Sequence, residues 1–262
     1  MTYPGADSGF DATLRGDMQL IHAANTHVGM VRTGNEDAYL AEATPDRGIY
    51  IVADGMGGHA AGEVASAMAV EIMSAALRTS TLPLSDLPGV AATAVLDANR
   101  QIFNRTIEEP DKHGMGTTLT TMVLGDGRYM IAHVGDSRVY RLRDGDLTQI
   151  TVDHSYVQEQ VDAGYLTPEQ ARYHPFSNVI TRCVGVATDV EPTIYEGEIV
   201  DGDLYLLATD GLTGMVEDKN LLKILTARKS PGPMVDALLW DANRAGGVDN
   251  ITAVVVQIAT AR

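Results

Sequence analysis

The stretch TTLTTMVLGDGRYMIAHVGDSRVYRLRDGDLTQIT, residues 117–151, decides the fold. It contains four runs of aliphatic, aromatic and β-branched residues, and Asp126-Gly127 and Asp144-Gly145 separate two pairs of these runs. Asp-Gly is typical of tight turns between antiparallel strands, because both central residues of such a turn adopt a positive φ. The pattern therefore predicts two β-hairpins, with strands at 117–124, 128–134, 137–143 and 147–151.

The flanking sequence predicts more strands and separate blocks of helix. We expect strands at 20–28, 38–43, 49–53, 193–197, 204–208 and 251–258, and helices at 62–79, 89–108, 218–227 and 233–245. Hairpins combined with separate helical blocks indicate an α+β fold with helices packed on antiparallel sheets, since a doubly wound parallel sheet needs regular strand–helix alternation. No linker composition interrupts the chain, so we expect a flexible leader over 1–18 and one domain over 19–262.

The charge of the chain excludes several classes of partner. Nineteen Lys and Arg against 35 Asp and Glu give the 262 residues a formal net charge of −16. Such a polyanion is unsuited to nucleic-acid phosphates or an anionic membrane surface, so we expect no nucleic acid and no membrane as partner. The single cysteine, Cys183, rules out a disulfide within the chain and fits a reducing compartment. With no apolar stretch of ~20 residues and no secretory leader pattern, the sequence predicts a cytoplasmic protein.

Several acidic residues stand next to apolar, strand-like runs. Asp54, Asp136 and Asp210 each follow such a run, Asp249 precedes the last one, and Glu36-Asp37 precede another. Any one of them is explained as an ordinary turn residue. Several carboxylates at one site, however, repel each other unless a cation neutralises them, and hard oxygen ligands favour Mg²⁺ or Mn²⁺ over zinc.

Six motifs in order carry a resemblance to a known family. They are RTGNED at 32–37, ADGMGGH at 53–59, GMGTTL at 114–119, GDSR at 135–138, TDG at 209–211 and DN at 249–250. The series closely resembles that of the metal-dependent serine/threonine protein phosphatases (PPM family, protein phosphatase 2C type), particularly the bacterial branch. The resemblance covers about 19–258. It implies a four-layer α-β-β-α sandwich, in which two antiparallel sheets are flanked by helices and a two-metal site lies at one edge.

The resemblance also implies a role for each site residue. Asp54 would bridge two Mn²⁺ or Mg²⁺ ions, and the Gly55 carbonyl, Asp210 and Asp249 would complete the direct ligands. Glu36 and Asp37 would act on the metals largely through bound water, and Asp136 with Asp210 would hold a third, weaker ion. Arg32 would grip the phosphate by a bidentate fork. Phosphoserine and phosphothreonine would be hydrolysed by direct attack of a metal-bridging hydroxide, with no covalent intermediate.

Two features depart from the family pattern or extend it. Eukaryotic members carry a histidine, proposed to protonate the leaving oxygen, where this chain has Met56, and His59 is the nearest substitute. The polar segment 154–178, called the flap segment below, matches the position of the family's mobile flap, so we expect it to influence substrate choice. Phosphorylated proteins as substrates, an opposing serine/threonine kinase and a monomeric state complete the expectation.

Other functions are weighed on particular residues. A cysteine-dependent phosphatase would need an arginine six positions after Cys183, where Asp189 stands, so Cys183 is expected to be a small buried residue. Residues 55–60 also fit a dinucleotide-binding glycine pattern, but Asp54 would repel the pyrophosphate. No Gly-Lys pair exists for a Walker-type ATPase. A binding-only relative that does not turn over substrate remains the alternative, although it would be free to lose Asp54, Asp210 or Asp249.

Overall fold

The computed structural model describes residues 12–13, 18–57 and 61–260. Its strands are β1 (Ala12–Thr13), β2 (Met18–His27), β3 (Asp37–Ala43), β4 (Gly48–Met56), β5 (Gly116–Thr117), β6 (Leu119–Gly125), β7 (Arg128–Val134), β8 (Arg138–Arg143), β9 (Asp146–Gln149), β10 (Thr193–Glu198), β11 (Leu204–Ala208) and β12 (Ile251–Thr260). Its α-helices are α1 (Ala61–Thr79), α2 (Leu87–Glu108), α3 (Tyr156–Asp162), α4 (Pro168–Arg172), α5 (Asp210–Thr213), α6 (Asp218–Ala227) and α7 (Pro231–Arg244).

The strands form two antiparallel sheets. Sheet A has the order β1-β2-β12-β11-β8-β9, and sheet B has the order β10-β7-β6-β4-β3. The short strand β5 pairs with the end of β4, where Gly55 faces Thr117. Every neighbouring pair is antiparallel, which agrees with the predicted α+β class.

Both hairpins predicted from 117–151 are present. Strands β6 and β7 are joined by Asp126 (φ 49°) and Gly127 (φ 72°), and β8 and β9 are joined by Asp144 (φ 52°) and Gly145 (φ 85°). Positive φ at both central residues gives the turn a twist that matches the strands on either side. The two Asp-Gly pairs therefore fix which strands are adjacent and in which register.

Alternation of side chains along the strands separates the molecule into layers. In β4, Ile49 and Ile51 pack against α1 and α2, whereas Tyr50 and Val52 face the core between the two sheets. In β12, likewise, alternate residues face α7 or the inter-sheet core. Because successive side chains of a strand point to opposite faces, each central strand serves two cores. The result is the predicted four-layer α-β-β-α sandwich.

The structure differs from the predicted elements in three places. Strand β4 does not end at Ala53 but continues to Met56, because Asp54 pairs with Asp37 of β3 and the last two residues pair with β5. The one-turn helix α5 was not predicted. Two residues of the predicted leader, Ala12 and Thr13, pair with β2 in sheet A, while most of that segment lies outside the described residues.

None of the helices in 61–260 is long and apolar enough to cross a membrane.

Candidate metal centre

Asp37 and Asp54 face each other across two paired strands. They are direct partners in the antiparallel register of β3 and β4. Tyr39 and Val52 of the same strands face the core between the sheets, so alternation directs both carboxylates into the same space, at its end. Like charges directly opposite each other in a sheet destabilise the pairing. This register therefore indicates that something other than strand stability selects the two acids.

Asp37 is held across the gap between the two sheets. Its Oδ2 accepts hydrogen bonds from the hydroxyls of Thr209 (2.9 Å) and Thr252 (2.6 Å). Thr209 directly follows β11 and Thr252 lies in β12, and both strands belong to the opposite sheet. Its Oδ1 is buried and has no hydrogen-bond partner in the structure. Burial raises the pKa of Asp37 to about 7, against the effect of the two threonine hydroxyls and with help from the charges of Asp210 and Asp249.

Two more carboxylates, those of Asp136 and Asp210, lie around this pair. Asp54 interacts electrostatically with Asp37, Asp136 and Asp210, and Asp210 is the first residue of α5. Asp54 and Asp210 are half-buried, and loss of hydration raises the pKa of both carboxyl groups. Burial and the charge of Asp210 also raise the pKa of Asp136. A divalent cation would favour the charged form of all of them.

Two threonines fix the backbone of Asp54. The N–H of Asp54 donates to Thr118 Oγ1 (2.8 Å), and its carbonyl accepts from the N–H of Thr118 and the hydroxyl of Thr117, both at 2.9 Å. The hydroxyl of Thr118 also lies 2.8 Å from that of Ser137, next to Asp136. The strand that carries Asp54 and the turn that carries Asp136 are therefore joined through one buried hydroxyl pair.

Gly55 permits a close approach of three chain segments. A Cβ on Gly55 would lie 2.1 Å from the carbonyl oxygen of Gly62 in α1 and 2.5 Å from that of Glu36. The Gly55 N–H donates to the same Glu36 oxygen (3.1 Å). Gly62 in turn leaves room for the Glu36 side chain, whose Oε2 would be 2.5 Å from a Cβ there. Only glycine fits these positions, so the start of α1 and the Glu36 loop both sit beside Asp54.

Asp249 and Arg32 form the solvent side of the centre. Arg32 Nη2 lies 2.8 Å from Asp249 Oδ2, and 53% of the Arg32 side chain is exposed. This hydrogen bond and the charge of Asp249 raise the pKa of Arg32. Asn250 donates its side-chain amide to the carbonyls of Val28 and Gly34, both at 2.9 Å, and so positions the loop that carries Arg32.

A cleft of about 760 Å³ opens from these residues. Its lining includes Asp136, Asp210 and Asp249 on one side and the flap segment, with helices α3 and α4, on the other. Arg172 at the end of α4 donates to the carbonyl of Gly214 (3.1 Å), so the flap segment lies against the chain that follows α5. The flap segment therefore forms one wall of the cleft that contains Asp136, Asp210 and Asp249.

Comparison with known proteins identifies the family. Residues 29–236 match the family model described as Protein phosphatase 2C. The chain belongs to the protein phosphatase 2C family. Serine/threonine protein phosphatase PstP of Mycobacterium tuberculosis is 42% identical over 239 residues, which are 91% of this chain and 45% of PstP. Serine/threonine phosphatase Stp of Listeria welshimeri is 38% identical over 235 residues, 88% of this chain and 93% of that protein. The chain thus spans less than half the length of PstP.

Solved phosphatase 2C structures confirm the fold prediction. The crystal structure of M. tuberculosis PstP matches with a TM-score of 0.85 and 41% identity, covering 92% of this chain and 99% of that one. The PstP catalytic domain in complex with two manganese ions matches with a TM-score of 0.83 and 40% identity, over the same shares. The family and the α-β-β-α architecture implied by the six motifs are therefore confirmed.

The donor set of this family member suits a hard cation. Among residues 18–57 and 61–260, no three His, Cys, Asp or Glu side chains are already grouped as a ligand set for a metal. The acids interact electrostatically, and one buried oxygen of Asp37 and one of Asp210 have no hydrogen-bond partner. Carboxylates with free oxygens, completed by water and a backbone carbonyl, are the ligands that Mg²⁺ and Mn²⁺ prefer. The residues present therefore fit the cations that the resemblance implies.

The sequence singled out the acids described above as candidate ligands, but it did not indicate the residues that hold them. Thr118, Thr209, Thr252 and Asn250 make the supporting hydrogen bonds, and three of them stand inside the quoted motifs. For Thr209 and Asn250, a place beside an acid in a motif was the available signal. His59 lies outside the described residues. Cys183, expected to be buried, is only partly so.

Proposed function

We propose that this chain is a metal-dependent protein serine/threonine phosphatase that hydrolyses phosphoserine and phosphothreonine without a covalent intermediate. The observation that carries the proposal is that Asp37 and Asp54 face each other across β3 and β4, with Asp210 interacting electrostatically with Asp54. One buried carboxyl oxygen of Asp37 and one of Asp210 have no hydrogen-bond partner. The names of PstP and Stp, which state serine/threonine phosphatase activity for those relatives, support it.

The proposed ligands are those expected from the sequence. Asp54, the Gly55 carbonyl, Asp210 and Asp249 would hold two Mn²⁺ or Mg²⁺ ions, with Glu36 and Asp37 acting through water. Asp136, beside Asp210, would hold a third, weaker ion. When bound, such ions lower the pKa of water and neutralise the charge of a phosphate ester. The two manganese ions of the PstP complex support the count of two.

Arg32 is the proposed phosphate-binding residue. Asp249 orients its guanidinium through Nη2, and the planar fork can present further N–H groups to phosphate oxygens. Because Arg32 is half exposed at the mouth of the cleft, it can meet the phosphate of a bulky protein substrate. Charge that grows on the phosphate oxygens during hydrolysis is then stabilised by a group already in place.

Protonation of the leaving oxygen falls to water in this proposal. Met56 has no proton to give, and it occupies the position of the eukaryotic histidine. A His59→Gln variant tests the assignment, because a general acid would leave a missing limb in the pH–rate profile. An unchanged profile is expected, and loss of the alkaline limb would assign the role to His59 instead.

The decisive experiment is a phosphatase assay on a phosphothreonine peptide and an aryl phosphate, before and after chelation, with Mn²⁺ or Mg²⁺ added back. Turnover is expected only with added metal. Asp54→Ala should abolish turnover while the far-ultraviolet circular dichroism stays that of the wild type. Activity that survives chelation, or full activity of Asp54→Ala, would contradict the metal assignment.

The proposed setting follows from the activity. Substrates are phosphorylated proteins, an opposing serine/threonine kinase supplies them, and the 19–262 domain acts as a monomer. The single Cys183 supports a reducing, cytoplasmic compartment. Sedimentation at micromolar concentration tests the monomeric state, and a dimer would refute it.

A further inference from the structure

His154 makes hydrogen bonds on both sides of its ring. It is the first residue of the flap segment, and its Nδ1 accepts the backbone N–H of Gly135 at 3.0 Å. Its own backbone N–H donates to the carbonyl of Gly135 at 2.8 Å. On the other side of the ring, Nε2 lies 3.0 Å from the hydroxyl of Thr193 in β10. The side chain and the backbone of His154 thus both hydrogen-bond to Gly135, the residue immediately before Asp136.

These contacts fix the tautomer of the ring. Because Nδ1 accepts an amide proton, it carries none, and the proton of the neutral ring is on Nε2, which donates to Thr193 Oγ1. Arg182 lies near Nε2 but has its own acceptors, Thr193 Oγ1 at 3.2 Å and the carbonyl of Glu191 at 3.0 Å. A neutral Nε2–H imidazole therefore satisfies the bonds to Gly135 and Thr193, while Arg182 Nη1, 3.1 Å from Nε2, donates to Thr193 and Glu191 instead.

A second histidine supports the same form. The ring of His133 lies 4.7 Å from that of His154, centroid to centroid, tilted by 33°. Its Nε2 is 3.2 Å from the carbonyl of Val152, and its Nδ1 is 2.9 Å from the hydroxyl of Thr120. A carbonyl only accepts, so His133 also carries its proton on Nε2. The His154 ring thus packs against the fully buried, neutral ring of His133, which restricts its movement.

Gly135 passes this constraint to the site. It has a φ of +110°, and a Cβ on it would lie 2.5 Å from Thr118 Cγ2. Thr118 in turn holds the N–H of Asp54 and the hydroxyl of Ser137. The turn that carries Asp136 is thus pressed between Thr118 on one side and His154 on the other. Moving the amide of Gly135 moves Asp136 relative to Asp54.

We propose that His154 is a positioning residue that fixes the Asp136 turn, and thereby sets the affinity of the cation that Asp136 binds. Its Nδ1, as an acceptor for the Gly135 amide, is the atom that does so. The inference rests on the proposed function, since it takes Asp136 as a ligand. Residues that orient a metal ligand typically change metal affinity by about 10- to 100-fold when replaced.

Two near-isosteric variants separate the two ring nitrogens. In His154→Asn, the amide oxygen can take the place of Nδ1 and keep the Gly135 bond. In His154→Gln, the longer side chain reaches the position of Nε2 and keeps the Thr193 contact instead. Titration calorimetry with Mn²⁺ on the full chain measures each class of site. We expect His154→Asn to bind the weaker Mn²⁺ within about twofold of wild type, and His154→Gln to lose about 10- to 100-fold at that site alone.

A second readout is independent of metal and activity. Hydrogen exchange of the Gly135 and Asp136 amides, followed by NMR in chelator, should be faster in His154→Gln than in wild type and nearly unchanged in His154→Asn. Equal Mn²⁺ affinities and equal exchange for wild type and His154→Gln would overturn the inference. If wild type itself neither binds Mn²⁺ nor shows metal-dependent turnover, the proposed function has failed, and the exchange data still decide whether His154 holds the turn.

Discussion

Strand β11 carries an aspartate at each end, and the two have opposite surroundings. Asp203, just before the strand, accepts two bonds from Arg143, both at 2.6 Å, and further bonds from the Val200 N–H (2.9 Å) and the Tyr205 hydroxyl (3.0 Å). Asp210 stands two residues after the strand, and its Oδ1 has no hydrogen-bond partner. The acids Asp54 and Asp249 interact with it electrostatically. One end of β11 is therefore fully satisfied by the protein, and the other is not.

The pKa values of the two acids follow the same division. Burial acts to raise both, but the donors around Asp203 outweigh it and lower the pKa of Asp203. At Asp210, burial prevails and raises the pKa. Satisfied charges of the first kind serve folding, whereas a carboxylate held among other carboxylates is poised for a cation. At the two ends of one strand, Asp203 is therefore an acid that the protein itself satisfies, and Asp210 is an acid left poised for a cation.

The largest effect is expected from Asp210→Asn. The change removes a proposed metal ligand, so kcat with saturating Mn²⁺ should fall at least about 10³-fold. In chelator, the free energy of unfolding should stay equal or rise, because a charge that repels Asp54 and Asp249 is lost. Urea unfolding and steady-state kinetics measure both quantities. A strongly destabilised, fully active variant would erase the distinction between the two ends of β11.

Asp203→Asn should give the reverse outcome. It weakens the bidentate bond from Arg143 and the other bonds to this buried carboxylate, so the free energy of unfolding should fall by about 1.5 to 3 kcal/mol. Turnover per folded molecule at low temperature should equal that of wild type, because Asp203 lies at the far end of the strand from the site. Loss of kcat without loss of stability would contradict this assignment.

His133 is another buried group whose hydrogen bonds are satisfied, and it makes the stability of the protein depend on pH. Burial lowers its pKa from 6.5 to about 4, so between these values the unfolded chain binds a proton that the folded protein does not. Stability should therefore decrease as pH falls from 6.5 towards 4, by about 3 kcal/mol from this residue. His133→Asn keeps an acceptor for Thr120 and does not titrate.

The test for His133 is a difference between two proteins. Urea unfolding in chelator at several pH values should give a shallower loss for His133→Asn than for wild type, since the carboxylates titrate in both. Parallel curves would show that His133 is charged or exposed in the folded state.

Arg32→Ala should have the smallest effect. An exposed guanidinium contributes binding of the phosphate, so KM should rise about 10- to 30-fold while Mn²⁺ affinity stays within about twofold. Arg78→Ala is the matched control, because it removes another exposed arginine, paired with Glu42 far from the cleft, and should leave KM unchanged. A loss of Mn²⁺ affinity in Arg32→Ala would mean that its role is to hold Asp249.

Local signals explain what the sequence could predict. The two Asp-Gly turns need only neighbouring residues, so the hairpins of 117–151 were predicted in the right place. The acids of the site were found because they stand beside strand-like runs within motifs. Family resemblance, and not spacing, assigned a role to each of them.

Contacts between distant segments explain the rest. The amino-acid sequence does not show that Thr209 and Thr252 donate hydrogen bonds to Asp37 of the other sheet, because these bonds depend on how the two sheets pack. The extension of β4 beyond Asp54 to Met56 depends on β5, about 60 positions away along the chain. The hydrogen bonds between His154 and Gly135 likewise arise only when the flap segment returns to the sheet.

The register of β3 and β4 has an evolutionary consequence. Residues 44–47 connect the strands and set Asp37 opposite Asp54. Inserting or deleting one residue there would shift the pairing by one and turn one acid toward the helices. We therefore expect one-residue insertions and deletions in this connection to be selected against as long as the chemistry is kept, even though the connection is exposed and far from the cleft.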